Sequence, residues 1–279
     1  MAARPLLIIQ MGVPPDDIIA RFGEQGRWMQ DALGVAASSS IPADTPVHEG
    51  AHMQEAAKFQ AAWPDQAIAP IQVVRPSLGE TLPPAHAVAG AIITGSWNMV
   101  TDREHWSELT AAWVREAFAG DVPLLGICYG HQLMAHALGG VVDYHPQGRE
   151  LGCYGVHTVA NLADDPLLHD LPDAFDALLS HEQSVIEAPE GARVLARSAH
   201  DLHQILRYSP HALSVQFHPE FSPALMQACI TRRRAQLLGE GVDMDAMLSN
   251  IHETRHARRI LTRFAEQVLA EADAFSAQF

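Results

Sequence analysis

An apolar run, Val122-Pro123-Leu124-Leu125, passes through Gly126-Ile127-Cys128-Tyr129-Gly130 and straight into the helically spaced Leu133, Met134, Ala137 and Leu138. A buried strand that bends sharply and opens a helix at once implies a layered α/β fold, because the helix must pack back on the sheet it has just left. The residue at the bend is a cysteine flanked by two glycines, the context of a nucleophile elbow. Glycine at both positions leaves room for the chain to turn tightly. A helix N-terminus at the sulfur favours the anionic nucleophile. The competing reading of Cys128, a small hydrophobe buried at a strand end, does not account for the paired glycines.

Further short apolar runs bounded by turn residues read as strands: Leu6–Met11, Ile71–Val74, Ala87–Thr94, Gly155–Val159, Ala177–Leu179, Arg193–Ala196, Gln204–Tyr208 and Leu213–Phe217. In the first half they alternate with helical patterns such as Trp106, Leu109, Trp113 and Phe118, which predicts a parallel sheet built from βαβ units. Between Val141 and Phe217 the runs come closer together with only turns between them, which predicts an antiparallel extension of the same sheet. After Phe221 the pattern is helical: Ser222 caps, Pro223 occupies the first turn, Gly239 and Gly241 end the helix, and Ile260, Leu261, Phe264 and Val268 form a second apolar stripe. The expectation is a single domain over residues 1–279. It comprises a core of about 5–221, a loop-rich Ala/Ser/Pro/Gln insertion at about 34–70, and a helical tail at about 222–279 that covers the sheet.

The chain's formal net charge of -15 opposes binding to phosphate backbones or anionic lipid, so no nucleic acid and no membrane is expected as partner. Arg232, Arg233 and Arg234 form a local basic cluster, read as a solvated helix face. Three cysteines (Cys128, Cys153 and Cys229) make no disulfide framework and point to a reducing compartment. The N-terminal apolar run is too short for a signal peptide, and no run approaches membrane-spanning length. A cytoplasmic protein is expected.

A nucleophile needs a base, and the base needs orientation. Far downstream, Leu213–Phe217 ends in His218-Pro219-Glu220. Residues two apart in extended chain project to the same side, and Pro219 keeps its predecessor extended. His218 is therefore the candidate proton carrier and Glu220 the group that orients it. A third run, Ile92-Ile93-Thr94-Gly95-Ser96, ends a strand in a small-residue turn, where backbone N–H groups are free to face an oxyanion. The amides of Ser96 and Tyr129 are the expected pair.

Gly126-Ile127-Cys128-Tyr129-Gly130-His131-Gln132 together with Gln216-Phe217-His218-Pro219-Glu220-Phe221 resembles the class I (triad) glutamine amidotransferases, and the likeness runs in order from about residue 5 to 221. The resemblance implies a flavodoxin-like three-layer α/β/α fold with a mixed, mainly parallel sheet. It also implies a γ-glutamyl thioester on Cys128, ammonia as product and no cofactor. By the same resemblance Gly95, Gln132 and the loop Ser180, His181, Glu182, Gln183 contact the glutamine. Thr94-Gly95-Ser96 stands where the family more often has Gly-Gly-Pro, and Glu182-Gln183 where it more often has Gly-Asp, which leaves the amide substrate open. The whole chain is most similar to free-standing proteins related to the amidotransferase domain of GMP synthase. It has no Ser-Gly-Gly-x-Asp-Ser phosphate loop of an ATP pyrophosphatase, so it is not expected to make GMP unaided; any ammonia-accepting synthetase partner is unknown.

Two other readings remain at this level. A γ-glutamyl peptidase or hydrolase would use the same three residues without passing ammonia on. A non-catalytic regulatory or metal-binding module is suggested by the sixteen histidines, among them His131, His136, His145 and His157. No Cys-x-x-Cys spacing supports a metal, and none is expected.

Overall fold

The computed structural model describes residues 4–34 and 71–276; the 34–70 insertion predicted from sequence lies, beyond Gly34, outside the described residues. The strands are β1 (Leu6–Ile9), β2 (Ile71–Val74), β3 (Gly90–Ile93), β4 (Leu124–Ile127), β5 (Val141–Tyr144), β6 (Glu150–Thr158), β7 (Ala174–His181), β8 (Gln183–Glu187), β9 (Arg193–Arg197), β10 (Ile205–Ser209) and β11 (Ala212–Val215). The α-helices are α1 (Asp16–Phe22), α2 (Gln25–Ala32), α3 (His105–Ala119), α4 (Tyr129–Ala137), α5 (Pro223–Arg232), α6 (Arg234–Gly239), α7 (Met244–Ser249) and α8 (Arg255–Ser276).

Nine strands form one mixed sheet in the order β2-β1-β3-β4-β11-β10-β9-β6-β7. The first five run parallel and the rest continue antiparallel. The parallel strands are short and buried on both faces, as β1, β3, β4 and β11 show throughout, which is why they read as continuous apolar runs. Alternation divides them between two cores. Leu6, Ile8, Ile92, Leu125 and Ile127 pack under Ile260, Leu261, Phe264 and Val268 of α8. Leu7, Ile9, Ala91, Ile93 and Leu124 pack under Trp113 and Val114 of α3 and Leu133 and Met134 of α4. Each such fully buried aliphatic side chain stabilises the fold by roughly 1.5–3 kcal/mol. Helices on both faces make this the three-layer, flavodoxin-like α/β/α arrangement.

Two elements differ from the sequence reading. Strands β5 and β8 leave the main sheet and pair with each other as a separate antiparallel ribbon. The helix after Phe221 is not one piece. Ser222 does cap α5, its hydroxyl accepting from the Leu225 amide at 3.2 Å, but the helix breaks at Arg233 before resuming as α6. Among the described residues, no helix is long and apolar enough to cross a membrane.

Candidate active site

Three neighbouring parallel strands, β3, β4 and β11, release their chains at the same edge of the sheet. Ile127 lies opposite Val215, and Ile93 opposite Gly126. Cys128 follows β4 directly, the Thr94-Gly95-Ser96 turn follows β3, and His218 stands three residues past β11. Strand pairing thus brings together Cys128 and His218, which are far apart in sequence. The carboxyl edge of a parallel sheet is where such folds bind ligands.

Cys128 sits at φ +50°, ψ −101°, a backbone that L-residues rarely adopt, and it caps α4. Its amide donates to the Val215 carbonyl at 2.9 Å, which anchors the bend. A methyl group on Gly130 would fall 2.2 Å from the Ile93 carbonyl oxygen, and one on Gly126 would fall 2.6 Å from that of Gly130, so the bend exists only because both are glycine. The sulfur is nearly buried and lies 3.7 Å from the Ser180 carbonyl.

His218 and Glu220 share one side of an extended segment, with Nδ1 2.8 Å from the Glu220 Oε1 oxygen and both residues about 5% exposed or less. The imidazole stacks on Phe221 with ring centres 3.9 Å apart, and its backbone amide donates to the Leu178 carbonyl at 2.8 Å. Gly95 comes so close that a methyl group there would be 2.8 Å from His218 Cε1 and 3.6 Å from Cys128 Cβ. Burial alone would lower the imidazole's pKa. The Glu220 carboxylate and then the Cys128 sulfur outweigh it and push His218 up to about 10. The other two thiols are pushed the wrong way for nucleophiles: burial, aided by Asp176, raises Cys153 to about 11, and burial raises Cys229 to about 12.

The turn after β3 is held by Thr94, whose hydroxyl accepts from the Met11 amide (3.0 Å) while its carbonyl accepts from the Gly130 amide (3.1 Å). The backbone amides of Ser96 and Tyr129 have no acceptor among the described residues, and both residues line the cavity over Cys128. The Tyr129 side chain points away from it. Its hydroxyl lies 2.6 Å from Ser107 Oγ, and burial pushes it up to about 12, so it stays neutral.

The same cavity is lined by Gly95, Gln132, Ser180, His181, Glu182 and Gln183, so all the residues singled out from sequence converge on it. Their side chains are engaged differently. Gln132 Nε2 donates to the Gln183 carbonyl (2.6 Å) and to Gln216 Oε1 (3.0 Å). His181 is enclosed, with Nε2 3.0 Å from Glu150 and Nδ1 2.9 Å from the Gln183 carbonyl. Gln183 turns its amide oxygen to the backbone N–H of Val100 (3.0 Å) and pins the loop that follows the Ser96 turn. Glu182 is partly exposed, 4.0 Å from Arg149.

Sequence reasoning missed several wall residues. Gln25 and Trp28 come from α2, and Trp97, Asn98 and Met99 continue the Ser96 turn. Arg233 is the guanidinium that lines the cavity; the break between α5 and α6 falls at this residue, whereas its neighbours Arg232 and Arg234 are exposed. Adjacency to Ser96 was an available signal for Trp97, but nothing in a helical pattern marks which of three arginines turns inward. Of the histidines near Cys128, His131 is buried against Ser214 Oγ at 2.7 Å and held neutral, burial lowering it to about 3, and His136 pairs with Glu108.

A family model described as class-I glutamine amidotransferase matches residues 68–236, more than half of the chain. Among curated proteins, a stretch of 101 residues is 41% identical to the GMP synthase (glutamine-hydrolyzing) of Thermosipho africanus, covering 36% of this chain and 19% of that protein. Another of 126 residues is 40% identical to a GMP synthase (glutamine-hydrolyzing) subunit from Methanopyrus kandleri, covering 45% of this chain and 66% of that one. The chain thus spans about a fifth of the length of the first of these relatives and under two thirds of even the shorter one. A solved glutamine amidotransferase from Thermotoga maritima superposes over 95% of this chain and 98% of its own, with a TM-score of 0.65 at 18% identity, which shows a shared fold. With the family match lying across the elbow at Cys128 and the strand end at His218, the chain belongs to the class I glutamine amidotransferases, a family of enzymes.

Proposed function

We propose that this cavity hydrolyses the side-chain amide of glutamine through a thioester on Cys128, releasing ammonia. The observation that carries the reading is the buried His218–Glu220 pair at 2.8 Å, in which the imidazole's pKa is raised by Glu220 and then by the Cys128 sulfur. In this scheme the Cys128 sulfur attacks the amide carbon, and the negative charge that forms on oxygen is received by the N–H groups of Ser96 and Tyr129. Each donor of that kind contributes roughly 10²- to 10³-fold. His218 gives its proton to the departing nitrogen, which leaves as ammonia and frees the acyl group as a thioester. It then takes a proton from water, whose oxygen attacks the thioester carbon, and glutamate departs as the sulfur is regenerated. Proton transfer of this sort contributes roughly 10²- to 10⁴-fold. Glu220 acts through His218 by fixing its tautomer and orientation.

Arg233 is the cavity residue suited to the substrate's α-carboxylate, since it carries a fixed positive charge and has no acidic partner among the described residues. Gln132 Oε1 and the main chain of Ser180 to Gln183 complete the glutamine contacts, while the side chains of His181 and Gln183 hold the wall in place. The whole chain is read as one domain in a cytoplasmic setting, consistent with three free cysteines. The likeness to a protein named as part of a GMP synthase supports an ammonia-accepting synthetase as partner.

The test is ammonia release from glutamine by wild type, Cys128→Ala and His218→Asn, with γ-glutamyl dipeptides assayed in parallel. Turnover of glutamine that Cys128→Ala abolishes is expected. Turnover of dipeptides alone would favour the γ-glutamyl peptidase reading, and activity in Cys128→Ala would sink both.

A further inference from the structure

Away from that cavity, three metal-ligating side chains converge on one point. Cys153 lies in β6 opposite Leu178 of β7, and Asp176 stands two residues from Leu178 on the same strand, so both project from one face of the sheet. His252 comes from the segment leading into α8. Its Nε2 is 3.1 Å from Asp176 Oδ2 and 3.8 Å from the Cys153 sulfur, and one donor atom from each of the three residues lies within 4.8 Å of the others.

The hydrogen bonding around His252 makes this more than proximity. Nδ1 lies 2.9 Å from the Asn250 carbonyl, which accepts but cannot donate, so Nδ1 carries the proton. The other ring nitrogen, Nε2, faces both the Asp176 carboxylate and the Cys153 sulfur. A cation at their meeting point is within reach of a ligand atom from each of the three residues. An imidazole whose second nitrogen is fixed by a backbone carbonyl is the usual outer support of a metal-bound histidine. The segment is also tied down independently, because the Asn250 side-chain amide donates to the Cys153 carbonyl at 3.1 Å.

Distances agree with a small tetrahedral ion. Zinc bonds of about 2.0 Å to nitrogen and about 2.3 Å to sulfur imply ligand-to-ligand separations of roughly 3.3–3.7 Å. The 3.1 and 3.8 Å spacings here bracket that range. Cys153 is buried, while the Asp176 and His252 side chains are about half exposed (54% and 49%), leaving an entry path and room for water as a fourth ligand. A thiolate–imidazole–carboxylate set suits zinc and not magnesium or calcium.

We propose that Cys153, Asp176 and His252 form a zinc site with one solvent position, fastening the start of α8 to the β6–β7 pair. On binding, the Cys153 thiol gives its proton to solvent as the sulfur–zinc bond forms. None of the three residues lines the cavity over Cys128, so the site stands apart from the proposed reaction.

The test uses the full chain, stripped with chelator and titrated with zinc by calorimetry, with metal content measured after gel filtration. One saturable zinc per chain is expected. It should persist in Cys128→Ala, disappear in Cys153→Ser and in His252→Ala, and raise the melting temperature of wild type but not of His252→Ala. Cobalt in place of zinc should give a thiolate-to-metal charge-transfer band that Cys153→Ser lacks. His252 is half exposed, so its alanine variant remains folded and interpretable even if Cys153→Ser does not. No saturable binding, binding unchanged in His252→Ala, or binding lost in Cys128→Ala would each overturn the proposal.

Discussion

Gly95→Ala tests how tightly the imidazole is boxed in. The added methyl carbon would stand 2.8 Å from His218 Cε1 and 3.6 Å from Cys128 Cβ. Carbon atoms in contact settle at about 3.5–4.0 Å, so the imidazole must retreat by about 0.7 Å or more. Two contacts oppose that movement. Phe221 is stacked against its face at 3.9 Å, and turning the ring stretches the 2.8 Å bond to Glu220. Displacing a reacting group by about 1 Å costs on the order of 10²-fold in rate, equivalent to roughly 2.7 kcal/mol of barrier. Gly95 does not occupy the left-handed region, so alanine adds no backbone strain there. Steady-state ammonia release should therefore show kcat/KM down about a hundredfold, with the fold kept and the melting temperature lowered only modestly by the crowding. A folded Gly95→Ala protein with wild-type kcat/KM would refute the idea that the turn after β3 sets the position of His218.

Two further outcomes follow from the same geometry. His218 is held up to about 10 against an ordinary 6.5, so its protonation stabilises the fold fully below pH 6.5 and that contribution is lost as pH rises toward about 10. Glu220→Gln removes much of the cause, so denaturant titrations should show its deficit relative to wild type shrinking across that window; a deficit independent of pH would contradict the coupling. Arg233→Met should raise KM for glutamine roughly 10- to 100-fold with kcat retained, as expected for losing a charge-assisted hydrogen bond of about 1.5–3 kcal/mol. An unchanged KM would remove Arg233 from the binding site.

The parts of the molecule that were legible in sequence are those where local chemistry and global fold demand the same residues. Gly126 and Gly130 must be glycine for β4 to turn into α4, and the apolar runs of β1, β3, β4 and β11 are continuous because both faces are covered. His218-Pro219-Glu220 was readable because two residues apart on extended chain is a local relation. The ribbon of β5 and β8 was hidden because Val141–Tyr144 is largely exposed and lacks an apolar run. Arg233 could not be distinguished from Arg232 and Arg234, since the helix break that separates them depends on packing between distant segments. For His181 and Gln183, motif position identified the loop but not the side-chain partners, which Glu150 and the Val100 amide supply from elsewhere in the chain.

The proposed chemistry requires that Cys128 alone of the three cysteines be an activated nucleophile, paired with His218 at the strand edge. Reaction with an electrophilic glutamine analogue at neutral pH, followed by peptide mass mapping, reads this out at the sulfur itself. The expected result is stoichiometric modification of Cys128, protection by glutamine, loss of labelling rate in His218→Asn, and no reaction at Cys153 or Cys229, which are buried away from the cavity. Labelling spread over the three cysteines, or a rate at Cys128 unaffected by His218→Asn, would contradict it.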